Sequence, residues 1–219
     1  MATPVSENKV KFMLTFEETK ELLHKGNYVE VIEKLTTGFK SNEKSWKNPT
    51  TPQFKFTHRL RWLRRYKSWA LPPTIEQLHE LRDIIGDQRM LEIGAGSGLW
   101  AALLRCVGCN IIVTDSKSEP TCEYIDVEKL TSREALEKYG ADVGCLFVSW
   151  GRGYPTEEEF KFFKGNLVIS IGESGDGCTS SGYIDELDED QSWQLLKIID
   201  IPQWRGIWDT LIIYQRIAE

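Results

Sequence analysis

The sequence predicts an α/β fold: a mostly parallel sheet covered by helices, closed by a C-terminal antiparallel hairpin and preceded by a helical extension. Three observations carry this. Between residues 89 and 173, apolar strand-like runs alternate with amphipathic helical ones. The runs "RMLEIGA", "CNIIVTDS", "VGCLFVSW" and "NLVISIGE" are almost continuously apolar, as parallel strands buried on both faces must be. The final "LLKIIDIPQWRGIWDTLIIYQRI" is two strand-like runs whose loop is too short for a crossover helix, so they pair antiparallel.

The elements follow in order. The first ten residues are polar, without the apolar core of a secretory signal. In "TFEETKELLHKGN", Thr15 precedes Glu18 by three, the spacing of a capping box, and Gly26 stops the helix. "NYVEVIEKL" repeats the device with Asn27 and Glu30 before Gly38. Residues 39–56 carry Pro, Asn and Ser without a period and read as a connector, so the division is 1–56 for the extension and 57–219 for the main domain. "THRLRWLRRYKSWALPP" interleaves arginines with aromatics and ends at Pro72 and Pro73. Thr74 with Gln77 opens a helix whose Leu78, Leu81 and Ile85 share a face. Then come the first strand, the helix "GLWAALLRC", a second strand ending in Asp115, a short third strand "CEYIDV", and the helix "REALEKYG". A fourth strand, the helix "TEEEFKFFKG", a fifth strand and the helix "GYIDELDEDQSW" lead to the hairpin. One spacing is anomalous: only "SKSEPT" separates the second strand from the third, half what a parallel crossover requires.

Bulk properties bound the function. A chain of 219 residues suffices for one well-buried domain, and no apolar run approaches the roughly 20 residues of a membrane span. The five cysteines, an odd number, suit buried thiols in a reducing, cytoplasmic setting better than a disulfide framework. Net charge is −6, with 17 Lys/Arg against 12 Asp/Glu in residues 1–110 and 10 against 21 thereafter. An acidic chain argues against tight nonspecific nucleic-acid binding, although Arg59, Arg61, Arg64 and Arg65 offer a local basic surface. The favoured reading of that stretch is a helix packed through its apolar residues.

The chemistry concentrates in "MLEIGAGSGLWAALL". Gly94, Gly96 and Gly98 stand between a strand and a helix, where glycine lets a ligand approach the main chain. No Lys-Ser/Thr follows, which excludes a nucleotide P-loop, and the dinucleotide pattern fits only if shifted by two. Asp115, 17 residues after Gly98, stands where an acid accepts hydrogen bonds from ribose hydroxyls. With Glu92 the string becomes E-x-G-x-G-x-G, which resembles the first motif of class I S-adenosylmethionine (SAM)-dependent methyltransferases, a Rossmann-like family. The terminal hairpin looks like that family's last two strands. Longer strings, Tyr66-x-Ser68-Trp69-Ala70-x-Pro72, "LFVSWGRGY", "IGESGDGCT" and "IPQWRGIWDTLIIYQR", resemble one subgroup of it over about residues 66–216.

The resemblance implies SAM as cofactor, held by Glu92, Gly94, Ala95, Gly96 and Gly98, with Tyr66 and Trp69 closing over it. Asp126 reaches the adenine amino group if "YIDV" is a strand. "SWGRGY" lies where some amino-methylating members carry a Pro-Pro-aromatic motif, so Ser149 and Tyr154 are expected to contact the acceptor. Gly151 and Arg152 replace the two prolines, which removes a rigid turn and adds a cation. Glu173 ends the fifth strand, where open α/β sheets bind ligands, and is placed to orient or deprotonate the acceptor. The expected function is SAM-dependent methyl transfer to an unidentified acceptor, with a small molecule or a nitrogen nucleophile favoured. The alternatives are a SAM-binding regulatory module without turnover and a nicotinamide-dependent oxidoreductase.

Overall fold

In the computed structural model, which describes residues 14–37, 40–44, 52–54, 59–151, 153–173 and 182–217, the chain begins with two short helices. The expected capping box starts α1 (Phe16–His24): Glu18 N–H donates to Thr15 Oγ1 at 3.1 Å and Thr15 N–H to Glu18 Oε2 at 2.7 Å. Gly26 ends the turn and α2 (Tyr28–Thr37) follows. Their buried Leu23, Val31, Ile32 and Leu35 join the same apolar cluster as the sheet. His24 Nε2 donates to the Tyr124 carbonyl at 3.1 Å, and the Phe16 and Tyr124 rings lie 4.4 Å apart, which fastens α1 to the segment around Tyr124.

The stretch expected to be a connector contains two strands, β1 (Lys40–Lys44) and β2 (Pro52–Phe54). Periodicity could not show them, because they are short and arise from pairing with each other and with a distant segment. The basic stretch is a helix, α3 (Arg59–Tyr66), whose Trp62 and Tyr66 are wholly buried. Residues 59, 62 and 66 recur at helical spacing, so Arg59 lies on the inward face. Thr74 and Gln77 cap α4 (Ile75–Ile85) reciprocally, as expected.

The alternating region then unfolds as β3 (Arg89–Ile93), α5 (Leu99–Cys106), β4 (Asn110–Thr114), α6 (Ser132–Tyr139), β5 (Cys145–Ser149), α7 (Glu157–Phe160), β6 (Leu167–Glu173), α8 (Gly182–Glu189), β7 (Trp193–Ile199), β8 (Gln203–Trp204) and β9 (Asp209–Arg216). The main sheet has the order β4-β3-β5-β6-β9-β7. Its first four strands are parallel, and β9 runs antiparallel to both β6 and β7. This is the mostly parallel, Rossmann-like sheet with an antiparallel C-terminal hairpin. β8 pairs with β2 in parallel, so the early strands are sewn to the hairpin loop.

The third strand is the exception. "CEYIDV" forms no strand; Thr114 and Glu128 make a single parallel bridge, with Asp115 N–H donating to the Glu128 carbonyl at 3.0 Å. The preceding link is only a 3₁₀ turn at Pro120–Cys122, too short to return a full strand to the sheet.

Alternation along the strands divides two cores. Met90, Cys145, Phe147, Leu167, Ile169 and Ile171 face α4, α5 and the N-terminal helices. Leu91, Ile93, Leu146, Val148 and Val168 face α6 and α7. Glu92 shares the parity of Met90, so the sequence directs a carboxyl into the first core. Among the described residues no helix is long and apolar enough to cross a membrane.

Candidate functional site

β3 has β4 on one side and β5 on the other, so the chain leaves its carboxyl end in opposite directions and opens a crevice there. The glycine loop lies at this point. Gly94, Gly96 and Gly98 take φ of 66°, 57° and 68°, a region closed to most side chains. Asp115, just past β4, braces the loop: its Oδ2 accepts from Gly96 N–H at 2.8 Å and its Oδ1 from Lys117 N–H at 2.6 Å. From below, Ser97 Oγ donates to the Tyr66 carbonyl at 3.1 Å and Tyr124 N–H to the Ser97 carbonyl at 2.9 Å. A cavity of about 510 Å³ opens over the loop, lined by Trp69, Gly94, Gly96, Asp115, Ser149, Trp150 and Tyr154, with Ser116, Lys117 and Thr131 at its polar end.

Gly98 shows how tightly the loop is fitted. A Cβ there would meet Ile125 Cγ2 at 2.6 Å, whereas Gly153, at φ 72°, has nothing within 4 Å. Gly98→Ala is therefore expected to lose about 2–3 kcal/mol, from left-handed strain plus overlap, and Gly153→Ala only about 1–2 kcal/mol from strain. Thermal unfolding of the two variants checks this ordering, and equal losses would contradict it.

Glu92 is the most unusual group. It is 1 % exposed, and its Oε2 has no hydrogen-bond partner among the described residues. Burial, then the neighbouring Asp115 charge, pushes its carboxyl well above the usual range. Tyr154 packs on the loop from the other side; its hydroxyl would lie 2.3 Å from a Cβ at Gly94. Burial, then Asp115 and Glu92, pushes the phenol up to about 12. The loop is thus enclosed by Glu92, Asp115 and a neutral phenol.

A second cluster adjoins the cavity at the same edge of the sheet. Trp150, following β5, holds φ 59°, a strained setting for a bulky residue. Its ring stacks on Trp69 at 5.7 Å and 18°, and the Arg59 guanidinium lies 4.8 Å from the Trp150 centroid and 5.1 Å from that of Trp69. Asp209, wholly buried, faces Glu173 across the β6–β9 register. Burial raises its carboxyl to about 7; Glu173 adds to the rise, while the Trp150 indole N–H and Arg59 oppose it. Gln203 Nε2 donates to the Asp209 carbonyl at 2.9 Å, and Glu173 Oε1 accepts from Trp208 N–H at 3.2 Å.

The structure therefore brings Trp69, Gly94, Gly96, Asp115, Ser149 and Tyr154 to one cavity, with Glu92 buried close to Asp115 and Tyr154. Ala95 packs against the core and donates to the Thr114 carbonyl, and Gly98 caps α5; both shape the loop from beneath. Three further expected residues do not line the cavity: Glu173 lies in the adjoining cluster with Trp208 and Asp209, and two others lie elsewhere. Tyr66 is wholly buried, its hydroxyl donating to the Leu14 carbonyl, so it holds the loop only through its own carbonyl. Asp126, with no third strand to carry it, lines a separate cavity with His24 and Cys106. Arg64 is exposed and points to no described cluster, whereas Arg59 turns inward; the side chains of Arg61 and Arg65, and all of Arg152 and 174–181, including Cys178, lie outside what the structure describes. Arg59, Trp150 and Asp209 were not foreseen as site residues. Asp209 lies in the string "IPQWRGIWDTLIIYQR", which was the available signal.

No family model matches the chain, and no curated protein matches it. Its structure is similar to that of 1,6-didemethyltoxoflavin-N1-methyltransferase from Burkholderia thailandensis, solved with 1,6-didemethyltoxoflavin and S-adenosylhomocysteine, at 13% identity over 66% of this chain and 78% of that one, with a TM-score of 0.48. It is also similar to precorrin-6y C5,15-methyltransferase from Geobacter metallireducens, at 14% identity over 68% and 92%, with a TM-score of 0.47. A third is the magnesium protoporphyrin IX methyltransferase of Synechocystis, solved with SAM, at 10% identity over 65% and 79%, with a TM-score of 0.46.

Proposed function

We propose that this chain binds SAM on the glycine loop and serves as a class I methyltransferase toward a small-molecule acceptor. The buried Glu92 carboxyl, with an unsatisfied oxygen beside Asp115, carries this reading. Such a group asks for a cation, and SAM brings two, an α-ammonium and a sulfonium. A dinucleotide pyrophosphate on the same loop offers that carboxyl no cation. The Asp115 carboxylate already accepts two amides and retains lone pairs for ribose hydroxyls.

When bound, SAM supplies an electrophilic methyl group on sulfur. The chain's part is alignment and desolvation. In this reading Ser149 at the end of β5 and Tyr154 over Gly94 position the acceptor, and Glu173, in the cluster adjoining the cavity, takes its proton. A binding module without turnover is the second reading, favoured by Gly151 and Arg152 in place of two prolines.

Calorimetric titration with SAM, S-adenosylhomocysteine (SAH) and NADPH tests the proposal. Micromolar binding of SAM and SAH is expected, with none of NADPH. Burial raises the Glu92 pKa in the free protein and a bound ammonium lowers it, so binding releases protons where the pH lies between the two. Affinity therefore rises with pH, and the apparent enthalpy changes with the ionisation enthalpy of the buffer. Glu92→Gln is expected to abolish that buffer dependence. NADPH binding without SAH binding would overturn the reading.

A further inference from the structure

Trp69, expected to close over the cofactor, is stacked on Trp150 beside the loop, and this pair carries a statement about the acceptor that rests on the cofactor reading. Trp69 remains 49 % exposed although it lines the cavity and is braced by Trp150. Large aromatic surface left open at a cavity mouth is binding surface, since its burial by a ligand is favourable and its geometry is already fixed. Here the fixing is unusually thorough. Trp150 is held in a left-handed backbone conformation, and Arg59 packs over both rings from α3.

We propose that the exposed indole of Trp69 seats the methyl acceptor, and that this acceptor is a planar aromatic or heteroaromatic ring, neutral or anionic, rather than a protonated amine. A ring extends the Trp150–Trp69 stack by one layer. A second cation is disfavoured because the Arg59 guanidinium already lies within about 5 Å of both ring centres and would repel it.

Two probes test this: quinoline-2-carboxylate, planar and anionic, and N-methylpiperidine, saturated and protonated. Each is titrated by saturation-transfer NMR against the full chain, with and without SAH. The quinoline is expected to bind wild type, to bind Trp69→Phe about equally, and to bind Trp69→Ala about tenfold more weakly. The piperidine is expected not to bind. Absence of quinoline binding, equal binding to Trp69→Ala, or piperidine binding of similar strength would each overturn the proposal. The SAH arm separates the two readings. Failure of SAH alone removes the cofactor and leaves the platform, whereas SAH binding with a Trp69-independent quinoline removes the platform and leaves the cofactor.

Discussion

Asp115→Ala is expected to weaken SAH binding by at least about a hundredfold while moving the melting temperature little. The carboxylate accepts from the Gly96 and Lys117 amides and so holds the loop in the conformation that meets the ligand. Removing both lets the loop abandon the positive φ at Gly96 that shapes the cavity. It also deletes the acceptor that the ribose of the proposed cofactor would use. The free protein suffers less, because Gly96 is exposed and its amide returns to water. Asp115→Asn keeps one oxygen for the Gly96 amide and is expected to lose only about tenfold. Calorimetry on the three proteins decides the matter. Binding by Asp115→Ala within threefold of wild type would place the ligand elsewhere.

The glycine loop and Asp115 could be read in the sequence because each is a local signal. A glycine after an apolar run and an acid at the end of the next one declare their positions without knowledge of the rest of the chain. The capping boxes at Thr15 and Thr74 are local in the same way, as is the alternation that divides Met90 from Leu91. The Arg59–Trp69–Trp150–Asp209 cluster is not. Its members lie on α3, two loops and the first residue of β9, and only the sheet brings them together. Asp209 within "WDTL" resembles an ordinary polar residue opening a strand, and Arg59 sits among charges that belong on a solvated surface. Strands β1 and β2 escaped for a related reason, since Lys40–Lys44 and Pro52–Phe54 have no apolar alternation and exist through pairing. The missing third strand was visible as a contradiction: six residues cannot make a crossover, and the structure resolves it by reducing the strand to one bridge.

Replacing Asp209 by Asn is expected to abolish much of the loss of stability that wild type shows between pH 4 and pH 8. In the unfolded chain the carboxyl ionises near 3.8, and in the folded protein near 7. Between those values the folded state keeps a proton that the unfolded state has released, so stability falls as pH rises, by about 1.4 kcal/mol per pH unit. Over the interval this approaches about 4 kcal/mol, or about 10 °C in melting temperature for a chain of this size. Below pH 4 the contribution is fully present, and above pH 7 it is gone. Glu173 on β6, Arg59 on α3 and Trp150 after β5 all face the carboxyl and remain in the variant. Glu92 contributes with the same sign, so the quantity to measure is the difference between the two stability curves rather than either alone. The curves are expected to coincide within about 1 kcal/mol near pH 4 and to separate steadily to pH 8, with Asp209→Asn the more stable protein. Parallel curves would mean that Asp209 is not held in its acid form. A stabilised Asp209→Asn that also binds quinoline-2-carboxylate more weakly would tie the cost to the platform, since the carboxyl lies behind Trp150 and close to Arg59 without touching the cavity. The charge would then be kept, against stability, for the position it gives to those two side chains.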